Sequence, residues 1–111
     1  MKSRFKQTSK LINNEVNHVL KEIDEHQIDL FTDDVLSKNT IFIAGVGRTG
    51  LMMKSFSMRL MHLGLKVFYI GETNTPSVNH NDLLIVGSGS GETLSLVSIT
   101  EKAKNLGAKI I

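Results

Sequence analysis

Apolar residues along the chain follow two patterns, helical spacing and short continuous runs, and together they predict an α/β protein. A first helix is predicted over about 2–25, because apolar residues recur there at spacings of three and four. Its apolar stripe consists of Ile12, Val16, Val19, Leu20 and Ile23. A second short helix is predicted over 28–36, and Asn39 ends this helical segment of residues 1–37.

The rest of the chain, residues 38–111, is predicted to form a parallel sheet. A continuous apolar run at 40–44 predicts a strand buried on both faces. Further strands are predicted at 66–70 and 83–86, and a fourth strand begins at 108–111. Helices are predicted over about 51–63 and 93–106, with Gly64 and Gly107 as their stops. The stretch 71–81 is predicted to be a loop.

The order strand, glycine loop, helix, glycine stop, strand occurs twice, which predicts two successive right-handed βαβ units. The predicted fold class is α/β, a three-layer, doubly wound, flavodoxin-like parallel sheet in a single domain. Ligands of such sheets bind outside the carboxyl ends of the strands, where both glycine loops fall. The chain ends inside the fourth predicted strand, so we expect it to be incomplete at its C-terminus or to need a partner.

The loop from Gly87 to Thr93 is the strongest candidate for chemistry. Its glycines let the backbone turn and approach a ligand closely. Its hydroxyls, on Ser88, Ser90 and Thr93, both donate and accept hydrogen bonds, and the start of the next helix favours an anion. A phosphate monoester suits this arrangement. The alternative is an ordinary Gly/Ser turn with a threonine cap.

Composition excludes several other classes of function. A net charge of +2 and an aromatic content of 5% argue against nucleic-acid binding. The chain has no cysteine, which excludes disulfides and thiolate metal sites. No apolar run approaches the length of a membrane span, and the basic N-terminus lacks the apolar region of a secretory signal.

The segment from Gly45 to Gly50 matches the G-x-G-x-x-G dinucleotide fingerprint between a strand and a helix. Glu72 follows the second strand, where a ribose-binding acid would lie. A dinucleotide fold, however, does not require the hydroxyl-rich second loop, and Glu72 belongs to a polar loop resembling the lining of a site. An NAD-binding domain is therefore the less favoured alternative.

The loop 88–93 resembles the sugar-phosphate loop of SIS (sugar isomerase) domains. With 45–50, 58–64 and 71–76 it resembles, more narrowly, the 6-phospho-3-hexuloisomerase family over nearly the whole chain. The resemblance implies interconversion of 3-hexulose 6-phosphate and fructose 6-phosphate, in the ribulose monophosphate route of formaldehyde fixation. It also implies a cytoplasmic tetramer that needs no cofactor and no metal, and a phosphorylated ketohexose as its partner.

Carried over by position, the resemblance implies a set of substrate-binding residues in the two glycine loops. The hydroxyls and backbone amides of the second loop would bind the phosphate. The first loop would contact the phosphate or hydroxyls of the sugar. Glu92 would stabilise the helix start rather than act as a base. The expected substrate-binding residues are Arg48, Thr49, Ser88, Gly89, Ser90, Gly91, Glu92 and Thr93.

The chain differs from the resembling enzymes in its catalytic residues. Their catalytic Glu and a His follow the fourth strand, so we expect the catalytic residues beyond Ile111 and reduced or absent activity in this chain. Glu72, His62 and His80 are the remaining titratable candidates, and none is favoured as the base. The alternative function is a non-catalytic SIS module that senses a phosphosugar.

Overall fold

The computed structural model describes residues 3–111, which contain four helices and four strands. The predicted start of the first helix at Lys2 lies outside the described residues. Two compact units are present, one ending at Thr32 and the other comprising Asp33–Ile111. In chain order the elements are α1 (Arg4–Lys21), α2 (Glu25–Ser37), β1 (Ile41–Ala44), α3 (Gly47–His62), β2 (Val67–Tyr69), β3 (Leu83–Val86), α4 (Leu94–Asn105) and β4 (Lys109–Ile110).

The first unit contains α1, which begins after Ser3, whose hydroxyl accepts a hydrogen bond from the Lys6 amide at 3.4 Å. The prediction that this helix continues to residue 25 is wrong, because α1 ends at Lys21 and α2 already begins at Glu25. The reason is Asp24, whose carboxylate accepts the His26 amide at 2.8 Å and so caps a new helix. No side chain of α1 is buried.

The second unit is built on a four-stranded parallel sheet in the order β2-β1-β3-β4. All four residues of β1 are buried, as its unbroken apolar run predicts for a central strand. Ile43 is paired with Tyr69 on one side and with Ile85 on the other. The predicted α/β class and parallel sheet are therefore confirmed.

The two helices that follow β1 and β3 lie on opposite faces of the sheet. α3 packs on β1 and β2, whereas α4 packs on β3 and β4. The crossover from β1 to β2 runs in one direction across the sheet, and the crossover from β3 to β4 runs in the other. Because both crossovers are right-handed, their helices lie on opposite faces. Phe42, Ala44 and Leu84 form the core beneath α4 together with Leu96 and Ala103. The chain is doubly wound as predicted, and its winding reverses between β1 and β3.

The sequence predicted the C-terminal ends of α3 and α4 correctly, but not the start of α3. Gly64 and Gly107 have φ of +90° and +92°, as expected of left-handed residues that end a helix. The predicted start of α3 at Leu51 is wrong, because the helix begins at Gly47. The Gly50 amide donates to the Val46 carbonyl at 2.9 Å and closes a helical turn where a loop was expected. Within residues 3–111, no helix combines the length and the apolar character needed to cross a bilayer.

Candidate functional site

The segment from Gly87 to Thr93 leaves the carboxyl end of β3 and leads into α4. Thr93 occupies the cap position with an extended backbone, and its side chain makes no capping hydrogen bond. The Val97 amide bonds to the Thr93 carbonyl at 2.9 Å, so the amides before it have no acceptor within the helix. This end of α4 therefore presents donors and a partial positive charge to the loop.

Hydrogen bonds inside this segment connect its hydroxyls to its amides. The Gly91 amide donates to Ser88 Oγ at 2.9 Å, and the Glu92 amide donates to Ser90 Oγ at 3.1 Å. Ser88 Oγ also lies 3.3 Å from Thr93 Oγ1. Gly91 has φ of +72°, a conformation that favours glycine. The two serine hydroxyls thus occupy acceptor positions that oxygens of an anion would otherwise take.

The first turn of α3 carries the other two predicted side chains, Arg48 and Thr49. Arg48 is exposed and Thr49 is half-buried. Val46, at the cap position, supplies no side-chain hydrogen bond, so the amides of this turn also lack a cap. As part of a helical turn rather than a loop, Arg48 and Thr49 are held by the helix itself.

The first turn of α3 and the segment after β3 are in contact. A Cβ atom added at Gly87 would lie 3.1 Å from Thr49 Cγ2 and 2.6 Å from Met53 Sδ. Glycine at position 87 therefore allows Thr49 to approach the second segment. Both segments leave adjacent parallel strands where the winding of the sheet reverses, which is the place where doubly wound sheets bind ligands.

A cavity of about 320 Å³ adjoins the second segment. Its polar lining includes Ser88, Thr93, Thr100 and Glu101. Ser88 and Thr93 thus line one opening together with residues of α4. Gly89, Ser90, Gly91 and Glu92 are exposed, and of these four Gly91 also lines the cavity.

Two of the three titratable candidates, His62 and His80, lie toward the amino ends of the strands, away from the two glycine segments. His62 is the last residue of α3, and the chain directly after it returns to the amino end of β1, where the Ile41 amide bonds to the Lys66 carbonyl at 2.9 Å. His80 lies beside Gly107, which precedes β4. Glu72 follows β2 at the carboxyl edge, 3.8 Å from Lys54 Nζ. Among residues 3–111, no three His, Asp or Glu side chains are grouped to hold a metal ion.

Sequence reasoning assigned no role to Tyr69, which supports the first turn of α3. Its hydroxyl donates to the Gly45 carbonyl at 2.8 Å. The only signal in the sequence is its position, one residue before the end of the predicted strand 66–70 and two residues before the loop that begins at Gly71. A contact across 24 residues is not visible in such a local pattern.

Comparisons with known proteins identify relatives of this chain. Residues 34–111 match the family model described as SIS domain. A Bacillus subtilis protein named 3-hexulose-6-phosphate isomerase is 48% identical over 93 residues, covering 84% of this chain and 50% of that protein. A Methanocaldococcus jannaschii protein of the same name is 47% identical over 87 residues, covering 78% of this chain and 48% of that protein.

A crystal structure of a hypothetical protein superposes on this chain with a TM-score of 0.89 at 38% identity, covering 96% of this chain and 56% of that one. The chain spans about half the length of the curated relatives it matches. The resemblance inferred from the glycine loops is confirmed by these matches.

Proposed function

Because the chain belongs to the SIS domain family, we propose that it binds a phosphorylated ketohexose and serves the interconversion of 3-hexulose 6-phosphate and fructose 6-phosphate. Two relatives that are almost half identical to this chain are named for that isomerisation. The observation that carries the proposal is the contact between Thr49 and Gly87, which joins two uncapped helix starts at the reversal of the sheet.

In this proposal the phosphate lies against the segment from Ser88 to Thr93. The hydroxyls of Ser88, Ser90 and Thr93 donate to its oxygens, and the amides of the loop and of α4 donate as well. Arg48 contacts the phosphate or a sugar hydroxyl from the first turn of α3, since its guanidinium carries donors in a geometry that matches phosphate. Glu92 stabilises the helix start.

The reaction moves a proton between two carbons of one sugar. A base takes the proton from C2 of the 3-ketose, and the electron pair forms an enediolate across C2 and C3. A proton is then returned to C3, while the C2 oxygen loses its proton and becomes the carbonyl oxygen of the 2-ketose. Holding the remote phosphate fixes C2 and C3 relative to the base, which is how binding energy contributes to the rate.

We assign phosphate binding, rather than proton transfer, to the described residues. His62 and His80 lie at the far edge of the sheet, and Glu72 is next to Lys54. This placement favours one second candidate function, a phosphosugar-sensing module that binds the same ligand without converting it.

Binding and turnover are measured in one experiment. The protein is titrated with fructose 6-phosphate by calorimetry, and formation of the 3-hexulose is followed in the same samples by nuclear magnetic resonance. Saturable binding that inorganic phosphate competes for supports the site, and turnover supports the isomerase. Binding without turnover supports the sensing module. Binding of NAD with no response to fructose 6-phosphate would contradict the proposal.

We further propose a homo-oligomer, a tetramer by resemblance, in the cytoplasm. Exposed apolar side chains on α1 and α3 support the association, because large apolar surfaces on a folded chain are usually covered by a partner. They include Val16, Val19, Leu20, Leu51, Met52 and Met58. A charged sugar phosphate is retained inside cells, which supports the cytoplasmic location.

A further inference from the structure

Tyr69 ends β2 and is the only tyrosine of the chain. Its half-buried side chain reaches the backbone on either side of the first turn of α3. The hydroxyl donates to the Gly45 carbonyl at 2.8 Å and lies 3.3 Å from the Gly50 carbonyl oxygen. One phenol thus bridges the two ends of the segment that carries Arg48 and Thr49.

The space around Gly50 is shaped by this contact. A Cβ atom at Gly50 would lie 3.1 Å from the Tyr69 hydroxyl and 2.9 Å from the carbonyl carbon and oxygen of Gly45. Gly50 is buried, so no water-filled gap separates the turn from the phenol. The turn, Gly45 and Tyr69 are therefore packed as one unit.

Tyr69 itself lies outside the proposed phosphate site. β2 and β3 flank β1 on opposite sides, so Tyr69 approaches the turn from the side away from the segment after β3. The residue is paired with Ile43. A group in this place acts on a ligand only through the turn that it supports.

We propose that Tyr69 is a positioning residue that fixes the first turn of α3 for ligand binding, an inference that rests on the proposed function. A peptide group is planar and trans, so holding the Gly45 carbonyl directs the Val46 N–H the opposite way. The single hydroxyl proton is shared with the Gly50 carbonyl oxygen as the longer arm of a three-centre bond at 3.3 Å, which restrains the far end of the turn. Arg48 and Thr49, which lie between these two points, are thereby held in one orientation.

Both the backbone and the ring of Tyr69 are in turn held by neighbouring residues. The Tyr69 carbonyl accepts a hydrogen bond from Thr75 Oγ1 at 3.0 Å. Lys54 Nζ lies 5.1 Å from the centroid of the ring, a cation–π distance, and 3.8 Å from a carboxylate oxygen of Glu72. The loop after β2 therefore holds the backbone of Tyr69, and Lys54 in the second turn of α3 contacts its ring.

The test compares Tyr69→Phe, which removes only the hydroxyl, with Ser57→Ala as a matched control. Ser57 also donates a hydroxyl hydrogen bond to a carbonyl on α3, that of Lys54 at 2.7 Å, but it lies beyond the first turn. Hydrogen exchange of the Gly50 amide is measured without ligand, and the Kd of fructose 6-phosphate is measured well below the melting temperature of each variant.

In Tyr69→Phe, exchange at Gly50 and the Kd are both expected to rise about threefold to tenfold, the effect of one lost hydrogen bond. Neither quantity is expected to change in Ser57→Ala. Unchanged exchange at Gly50 in Tyr69→Phe would overturn the inference whether or not the sugar phosphate binds. Unchanged Kd would also overturn it, whereas failure of the unsubstituted protein to bind fructose 6-phosphate would overturn the proposed function instead.

Discussion

At the scale of single residues, the candidate phosphate site contains serine hydroxyls that can bond either to the amides of their own loop or to the proposed ligand. Ser88 Oγ accepts the Gly91 amide at 2.9 Å, and Ser90 Oγ accepts the Glu92 amide at 3.1 Å. The sequence was sufficient to select these hydroxyls as candidates, since glycine and serine alternate between a strand and a helix. It could not predict their partners, because the rotamer of a serine is decided by the folded backbone around it.

Replacing Ser88 with alanine is predicted to weaken fructose 6-phosphate binding at least about 10-fold, since hydrogen bonds to charged groups contribute about 1.5–3 kcal/mol. Calorimetric titration measures the change in Kd. Ser98→Ala is the control, because Ser98 is an exposed serine of α4 beyond its first turn. Equal affinity of the two variants would remove Ser88 from the phosphate site.

At the scale of elements, strands and helix ends were predictable where the signal is local. The four residues of β1 form an apolar run that only a central strand of a parallel sheet buries completely. The start of α3 was missed because Gly50 is required by packing against Gly45 and Tyr69, and Tyr69 is 19 residues away along the chain. The boundary between α1 and α2 was misplaced, because the Asp24 cap that starts α2 at Glu25 depends on a side-chain rotamer that periodicity does not reveal.

The two glycines that end α3 and α4 are predicted to differ in their tolerance of alanine. At Gly64, φ is +90° and no atom lies within 4 Å of an added Cβ, so only the backbone conformation costs energy, about 1–2 kcal/mol. At Gly107, φ is +92° and the Cβ would also lie 3.0 Å from His80 Cβ. We expect Gly107→Ala to lower the free energy of unfolding by about 1 kcal/mol more than Gly64→Ala does.

Urea denaturation of both variants and of the unsubstituted protein measures this difference. Equal losses would show that the His80 loop moves aside without cost and that only the backbone conformation matters at either position.

At the scale of the whole molecule, topology brings together what is distant in the sequence. Thr49 and Gly87 are 38 positions apart, yet they adjoin because β1 and β3 are neighbours and their helices leave toward opposite faces. The repeat of strand, glycine segment and helix predicted this edge as the site. The apolar stripe of α1 was predicted, but its exposure to solvent was not. A helical pattern identifies the apolar face of a helix and does not show what covers that face.

Leu20→Glu is predicted to dissociate the proposed homo-oligomer, because a buried carboxylate on an apolar interface is costly. Leu20 is 59% exposed, so the substitution leaves the fold of the single chain intact. Sedimentation velocity measures the mass of the assembly, and circular dichroism checks the helices. Asn14→Glu, on the opposite face of α1, adds the same charge and is expected to leave the assembly unchanged. A monomeric unsubstituted protein would contradict the proposal.

The hydrogen bonds from the Gly91 amide to Ser88 and from the Glu92 amide to Ser90 affect which anions the proposed site would select. An incoming solute competes with bonds that already exist, so it gains only the difference between its own bonds and those it displaces. A halide or a single carboxylate, with one charge and few oxygens, gains little from that exchange. In the proposed site a tetrahedral dianion engages several donors at once and gains the most, so we expect the loop to select phosphate esters over small singly charged anions.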